Sequence, residues 1–555
     1  MKRLMSMIIN LRPERVEFTK FNQEGRKIMN SVEKKQTGLT RRDFVKGAAI
    51  AGTALSTVGV GIANGSPLKI PKKWDRTVDV VIVGTGGGGL AAAIEAHDAG
   101  ASVLVLEKES TVGGTTFLSG GVVYAAPTSI QRAVGITDTA DEAYKYAMAT
   151  GGDLVDPDLV RTWIDHSGPN IEWLISLGVV FPPETLYFSG SELLPKYAAV
   201  TPPKKRGHIA KGTGPGITGP LHKAAQARGI KILLETRAVR LIHTPEEEIL
   251  GIKVEGPQKK TILIRSRKGV VLATGGYGLN KEMVKTYASA MRDAFSTAAI
   301  GSTGDGIIIG QDVGANLKGI SIIIPSLPAV PFGTKGQANY SNLYDAARKT
   351  SLIVVNKQGK RFNNEAKGYV EFGASLAAQK DGCGFVIFDD TVRKQIEEGK
   401  VAILLSPLGP GLSKAEKLGL IKQARTVREL ATSLGLDPAT LENTVNIYNK
   451  NAALNTEPEF GTEVQLGVKK YLAPLNTSPF YGMEIRVGYS DPRGGLKINT
   501  KAQVLDVFGE VIPRLYAAGS TTGGILGVAY PGSGSYISSA ICFGRIAGKI
   551  AATAT

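Results

Sequence analysis

Apolar and polar positions along this chain change period several times, and the first strong signal is a short apolar run. Val78 to Val83 reads Val-Asp-Val-Val-Ile-Val, a buried strand. A glycine loop follows, then a helix from about Gly89 to Ala99, and Ala101 to Leu106 forms a second strand. This βαβ order opens a doubly wound domain. Residues 137–190 carry mixed helical periods. Ile230 to Ala238 and Val239 to Ile252 read as strands returning to the sheet, and Val270 to Leu272 as a buried strand entering a glycine turn. From about 320 to 485 the texture changes to short strands, a helix near 371–379 and a basic helical stretch around 391–450. The first pattern then resumes, with a strand at Leu515–Gly519 and a closing helix from Ser535 to Ala552. The expected fold is α/β: a doubly wound, Rossmann-like domain formed by 73–325 and 486–555, with an inserted α+β substrate or capping domain at 326–485.

Composition changes this picture mainly at the N-terminus. The chain is 43% hydrophobic and 21% charged, an ordinary globular balance. Its net charge is +17, of which residues 1–46 contribute 12 Lys/Arg against 5 Asp/Glu. The basic surface reads as solvated, with peripheral association with an anionic membrane as the alternative. No basic stretch is interleaved with aromatics, so no nucleic-acid partner is expected. Arg41-Arg42 precedes a mild apolar run, Gly47 to Ala63, too short for a comfortable membrane span. That arrangement resembles a twin-arginine export signal. Residues 1–72 are therefore read as signal and linker, with translation starting at Met1 or Met29, and the protein is expected in the periplasm or on the envelope face. The two cysteines, Cys383 and Cys542, read as buried free thiols, and no C-x-x-C-H attaches a haem. The histidines at 97, 166, 208, 222 and 243 have no ligand spacing, so no metal is expected.

The chemistry starts at Gly84-Thr85-Gly86-Gly87-Gly88-Gly89, which fits G-x-G-x-x-G through Gly84, Gly86 and Gly89. A tight first turn, a bare backbone facing a pyrophosphate and close helix–strand packing require glycine at those places. Glu107 follows Gly84 by about 20 residues, where a carboxylate accepts hydrogen bonds from ribose hydroxyls. Four further features accompany it: Gly113-Gly114-Thr115-Thr116 with Ser119-Gly120-Gly121; Leu272-Ala273-Thr274-Gly275-Gly276; Thr303-Gly304-Asp305-Gly306, whose carboxylate suits ribityl hydroxyls; and Leu515-Tyr516-Ala517-Ala518-Gly519.

As a set, these motifs resemble the FAD-binding pattern of the fumarate reductase/succinate dehydrogenase flavoprotein superfamily, over essentially all of 76–553. The resemblance implies non-covalent FAD, with Ala238, Val239, Ser535, Tyr536 and Ile537 joining the glycine and threonine positions around it. Two segments are most similar to the 3-ketosteroid dehydrogenase branch. In Gly359-Lys360-Arg361-Phe362-Asn363-Asn364-Glu365, fumarate reductases share R-F-x-N-E and then place a proton-donating Arg; here Tyr369 takes that place. In Tyr530-Pro531-Gly532-Ser533-Gly534, Tyr530 stands where they clamp a substrate carboxylate with Arg. Two guanidiniums are exchanged for two phenols, which suits an apolar, steroid-like ketone. By this resemblance Tyr530 and the Gly534 N–H hold the carbonyl oxygen, and Tyr369, its phenol lowered in pKa, is the base. Tyr187 or Tyr197 is the candidate for a third tyrosine. Electrons would pass to a separate quinone or cytochrome. An exported fumarate- or urocanate-type enoate reductase, and an FAD electron-transfer subunit without a substrate of its own, are the competing readings. Two departures bear on them: Ser520 replaces a common Glu, and Ser490-Asp491-Pro492-Arg493-Gly494-Gly495 lacks the His-Thr-x-Gly-Gly of fumarate reductases. Arg493 reads first as a surface cation and second as a contact for an acidic substrate group.

Overall fold

The buried run at Val80–Val83 forms the centre of a sheet rather than its edge. In the computed structural model, which describes residues 70–554 except 189–190, 326, 333–337, 341–342, 405–407, 410, 462 and 466–467, Arg76–Val83 pairs in parallel with Val103–Leu106 on one side and Thr261–Leu272 on the other. Lys231–Leu233 extends the sheet beyond Val103–Leu106, and Val511–Ala517 lies parallel to Thr261–Leu272 on the far side. Gln503–Leu505, Arg237–His243 and Ile249–Glu255 complete eight strands. The proposed export signal lies outside the described residues.

The helix Gly87–Asp98 crosses between the first two strands, and the last helix, Ser535–Thr553, packs along it. Their approach is close because both present small residues: a Cβ on Gly544 would lie 2.2 Å from the Gly88 carbonyl oxygen.

A second, seven-stranded sheet is built from Phe295–Ser296 and strands within 327–489. Its long member, Phe480–Tyr489, pairs antiparallel with the fully buried Cys383–Asp389. The helix Tyr369–Ala377 lies over this sheet with Phe372 and Leu376 in the core. The loop before that helix is held by a buried ionic cluster. Arg361 donates to Glu365 (2.9 Å) and Glu457 (2.7 Å), Lys470 pairs with Glu365, and both cations lie over the Tyr448 ring. Two positive and two negative groups cancel, so the cluster buries charge without a net excess.

Local structure departs from the sequence expectation in three places. The stretch 230–255 forms three strands, because Glu235 and Glu247 adopt positive φ and turn the chain. Among its described residues, the basic stretch at 391–450 holds four helices and the strand Ile421–Ala424, interrupted at Gly399, Gly419 and Gly435, all at positive φ. The strand Phe480–Tyr489 runs past residue 485, where the inserted segment was expected to end. Both cysteines are free and buried.

Candidate active site

The glycine loop is shaped for a bound pyrophosphate. Gly84 has φ +104°, and a Cβ there would lie 2.3 Å from the Ala273 carbonyl oxygen. A Cβ on Gly89 would sit 2.0 Å from the Gly84 oxygen, so the helix can start this close to the strand only with glycine. Gly86, at the helix N-cap, has no such neighbour: the nearest atom to its Cβ position is 4.0 Å away, which leaves the room a phosphate needs. Glu107, buried at the end of the second strand, accepts from the Thr85 hydroxyl (2.5 Å) and N–H (3.1 Å) through one oxygen and from the Glu109 N–H through the other. It thus braces the loop it was expected to complement.

The other expected cofactor positions gather around this loop. Gly113 donates its N–H to Thr85, and Gly114 lies against Gly86. Thr116 accepts from the Gly87 N–H (3.0 Å), while Thr115 accepts from the Ala299 N–H. Ser119 closes the turn at Gly120 by accepting from the Gly121 N–H. Thr274 accepts from the Gly306 N–H, and the Gly275 carbonyl accepts from Thr521, two residues after Gly519. The ladder shifts register between Ala238 and Arg240, which leaves the Val239 backbone in a bulge outside regular pairing. Asp305, expected as an acceptor for ribityl hydroxyls, is held in place by donors of the protein itself. Its oxygens are taken by Lys108 (3.0 Å), Arg237 (2.9 and 3.0 Å) and Thr303. Burial opposes its ionisation, but Arg237 and Lys108 outweigh burial and hold the carboxyl below its usual range.

The expected catalytic residues lie at the start of the last helix and beside the second sheet. Gly534 is the N-cap of Ser535–Thr553 at φ +91°, and a Cβ there would meet the Val122 carbonyl oxygen at 2.6 Å. Its N–H donates to no acceptor among the described residues. The carbonyls of Tyr530 and Pro531 accept from the Ser191 hydroxyl (3.3 Å) and the Tyr146 hydroxyl (2.5 Å). Tyr146 in turn meets Tyr197 edge-on at 6.0 Å. Tyr197 carries Lys196 over its ring, and Lys196 faces Glu371 on the helix that Tyr369 begins. Of the two candidates for a third tyrosine, Tyr197 is therefore tied both to the Tyr530 loop and to the Tyr369 helix. Tyr187 pairs its backbone with Gly207. The side chain of Tyr369 lies outside the described residues.

Arg493 is not a surface cation. It is 5% exposed, with its guanidinium 5.2 Å from the Tyr530 ring centre and Nη1 donating to the Gly527 carbonyl (2.6 Å). Tyr536, whose ring is 5.9 Å from that of Tyr530, donates its hydroxyl to the Asp491 carbonyl (2.8 Å). Burial raises the Tyr536 phenol, and Arg493 beside it offsets part of that rise. Asp491 itself is a residue the sequence reading passed over. Burial pushes its carboxyl up to about 7, against the Ser520 hydroxyl and the Gly276 and Gly278 N–H groups. The signal was present: aligned on Gly494-Gly495, Asp491 stands at the histidine of His-Thr-x-Gly-Gly, and Ser520, where a Glu is common, faces it.

A family model described as an FAD binding domain matches residues 79–537. The chain is 31% identical to a fumarate reductase (cytochrome) of Shewanella frigidimarina over 482 residues, covering 86% of this chain and 77% of that one. It is also 31% identical to a urocanate reductase of Eggerthella lenta over 528 residues, covering 92% and 82%. The crystal structure of a 3-ketosteroid-Δ4-(5α)-dehydrogenase from Rhodococcus jostii superposes with a TM-score of 0.65 at 28% identity, covering 88% and 99%. The sequence resemblance to the ketosteroid branch therefore widens to the superfamily that holds both kinds of enzyme.

Proposed function

The chain belongs to the FAD binding domain family, within the fumarate reductase/succinate dehydrogenase flavoprotein superfamily, and on that premise we propose that it reduces a carbon–carbon double bond conjugated to a carbonyl group. It is an oxidoreductase and its cofactor is FAD. Bound FAD supplies the hydride such a reduction delivers. The chain's own residues hold the substrate and move the proton. The Tyr530 hydroxyl and the Gly534 N–H receive the carbonyl oxygen as negative charge develops on it. Tyr369 gives a proton to the carbon next to the carbonyl. Ser191 and Tyr146 keep the Tyr530–Pro531 turn in place through its two carbonyls. The observation that carries this reading is the Gly534 N–H, held at a helix N-terminus without an acceptor, one turn from Tyr530.

Dehydrogenation of a 3-ketosteroid-like ketone uses the same residues in reverse, with Tyr369 as base. The two phenols standing where fumarate reductases have arginines favour it. Export by the Arg41-Arg42 signal, work at the cell envelope and exchange of electrons with a quinone or cytochrome complete the proposal. The test is spectroscopic, on anaerobic holoprotein. Reoxidation of the reduced flavin by an enone or enoate supports reduction, and bleaching of the oxidised flavin by a saturated 3-ketosteroid supports the reverse reaction. Absence of any response to either class marks an electron-transfer subunit instead. Tyr530→Phe should slow the responsive reaction roughly 100- to 1,000-fold while FAD stays bound.

A further inference from the structure

Four Lys and Arg side chains are buried among the described residues: Arg206, Arg361, Lys470 and Arg493. Three of them are matched by carboxylates. Arg206 holds Asp138 at 2.8 Å, and Arg361 and Lys470 share Glu365. Arg493 has no carboxylate within ion-pair distance among the described residues. Asp491, two positions before it, turns its carboxyl instead toward Ser520, Gly276 and Gly278. A guanidinium kept from water without a counter-charge is costly, far more so than one paired and hydrogen-bonded. A fold that holds one so rigidly reserves it for an anion that arrives from outside.

The surroundings of Arg493 point the same way. Its own N–H is fixed to the Ile322 carbonyl (2.9 Å), the Gly527 carbonyl takes one guanidinium N–H, and the Tyr536 hydroxyl is a second guanidinium partner. A guanidinium has five N–H donors, so others remain for a ligand. The guanidinium lies over the Tyr530 ring, beside the turn read above as the carbonyl-holding pair. We propose that Arg493 binds the carboxylate of the substrate, and that this site takes an unsaturated monocarboxylic acid rather than a neutral ketone. This rests on the reading of Tyr530 and Gly534 given above.

The chemistry of hydride addition explains the need for the cation. A neutral enone gains one negative charge on its oxygen when hydride reaches the carbon beyond the double bond, and two hydrogen-bond donors can hold it. An enoate is already anionic, and the same addition pushes a second charge onto its carboxylate. Phenol and amide donors alone do not balance that, whereas a desolvated guanidinium beside them does. One unmatched cation neutralises one carboxylate. A dicarboxylate would bring a second charge with no unpaired buried Lys or Arg among the described residues to meet it, so fumarate should be a poorer substrate than a monoacid.

The experiment uses FAD-loaded protein, reduced anaerobically, and follows flavin reoxidation by cinnamate, urocanate and fumarate, by the methyl esters of the first two, and by a matched enone. Wild type should react faster with the acids than with their esters. Arg493→Gln should narrow that ratio roughly 30-fold or more, and Arg493→Lys, which keeps the charge, should retain part of it. If wild type prefers esters or the enone, or if Arg493→Gln with full FAD content leaves the acid-to-ester ratio unchanged, Arg493 is not the anchor although the carbonyl chemistry stands. If no acid, ester or enone reoxidises the flavin, the reading of Tyr530 and Gly534 fails, and this inference with it.

Discussion

Replacing Asp491 by Asn should make the protein's stability less sensitive to alkali. The wild-type carboxyl is buried, with burial raising its pKa from the ordinary 3.8 to about 7, while the Ser520 hydroxyl and the Gly276 and Gly278 N–H groups only partly support the ion. Tyr277 and Tyr489 also face it, and neither carries a positive charge. Between those two pH values the unfolded chain has lost this proton and the folded chain has kept it, so stability falls as pH rises through the window and levels off above about 7. The whole window is worth on the order of 4 kcal/mol, of which about 3 kcal/mol lies between pH 5 and pH 8. Asparagine has the same shape and no proton to lose. For a unit extending from Pro67 to Thr555, the entropy of unfolding near the midpoint is about 1 kcal/mol per kelvin. The variant should therefore gain about 3 °C on wild type between pH 5 and pH 8. Calorimetry of both proteins at saturating FAD, at each pH, measures this directly. Midpoints that move in parallel within about 1 °C would refute the buried, reluctant carboxyl.

Three further outcomes can be checked alongside it. Gly89→Ala places a Cβ 2.0 Å from the Gly84 oxygen, so the purified variant should be colourless or lose FAD on dialysis, read by absorbance near the flavin band. Glu107→Ala removes the acceptor for both Thr85 donors and should weaken FAD binding roughly ten- to a hundredfold, measured by fluorescence quenching on reconstitution. Asp138→Asn leaves the buried Arg206 without its counter-charge and should cost about 3–5 kcal/mol, seen as a similar number of degrees in the melting midpoint with the flavin spectrum unchanged.

Much of the cofactor side was legible because its requirements are local. Gly84, Gly86 and Gly89 sit between a strand and a helix at a fixed spacing, and Glu107 follows one strand later, so the pattern and the geometry are nearly the same statement. The turns at Glu235 and Glu247 escaped because glutamate rarely signals positive φ, and only the pairing of the neighbouring strands forces it there. Arg493 was read as exposed because nothing beside it in sequence covers it. Its burial comes from Gly527, Tyr530 and Tyr536, which return from the chain's far end. The partners that hold Asp305, Arg237 and Lys108, were not foreseen because both are distant from it in sequence. Charge pairing across long separations leaves no periodic trace, and a motif matched by register alone does not say which of its polar atoms are already engaged.

The strand Val511–Ala517 lies beside Thr261–Leu272, although more than two hundred residues separate them in the chain. The second sheet is drawn almost wholly from the intervening segment. During synthesis, therefore, the cofactor sheet remains open on that side until nearly the whole polypeptide has left the ribosome, while the seven-stranded sheet can already have assembled. The last helix, which caps the glycine loop's helix and carries Gly534, arrives later still. Acquisition of flavin and completion of the substrate turn are thus a single late event, and a message cut short anywhere before this helix yields a chain that can neither retain the cofactor nor polarise a substrate.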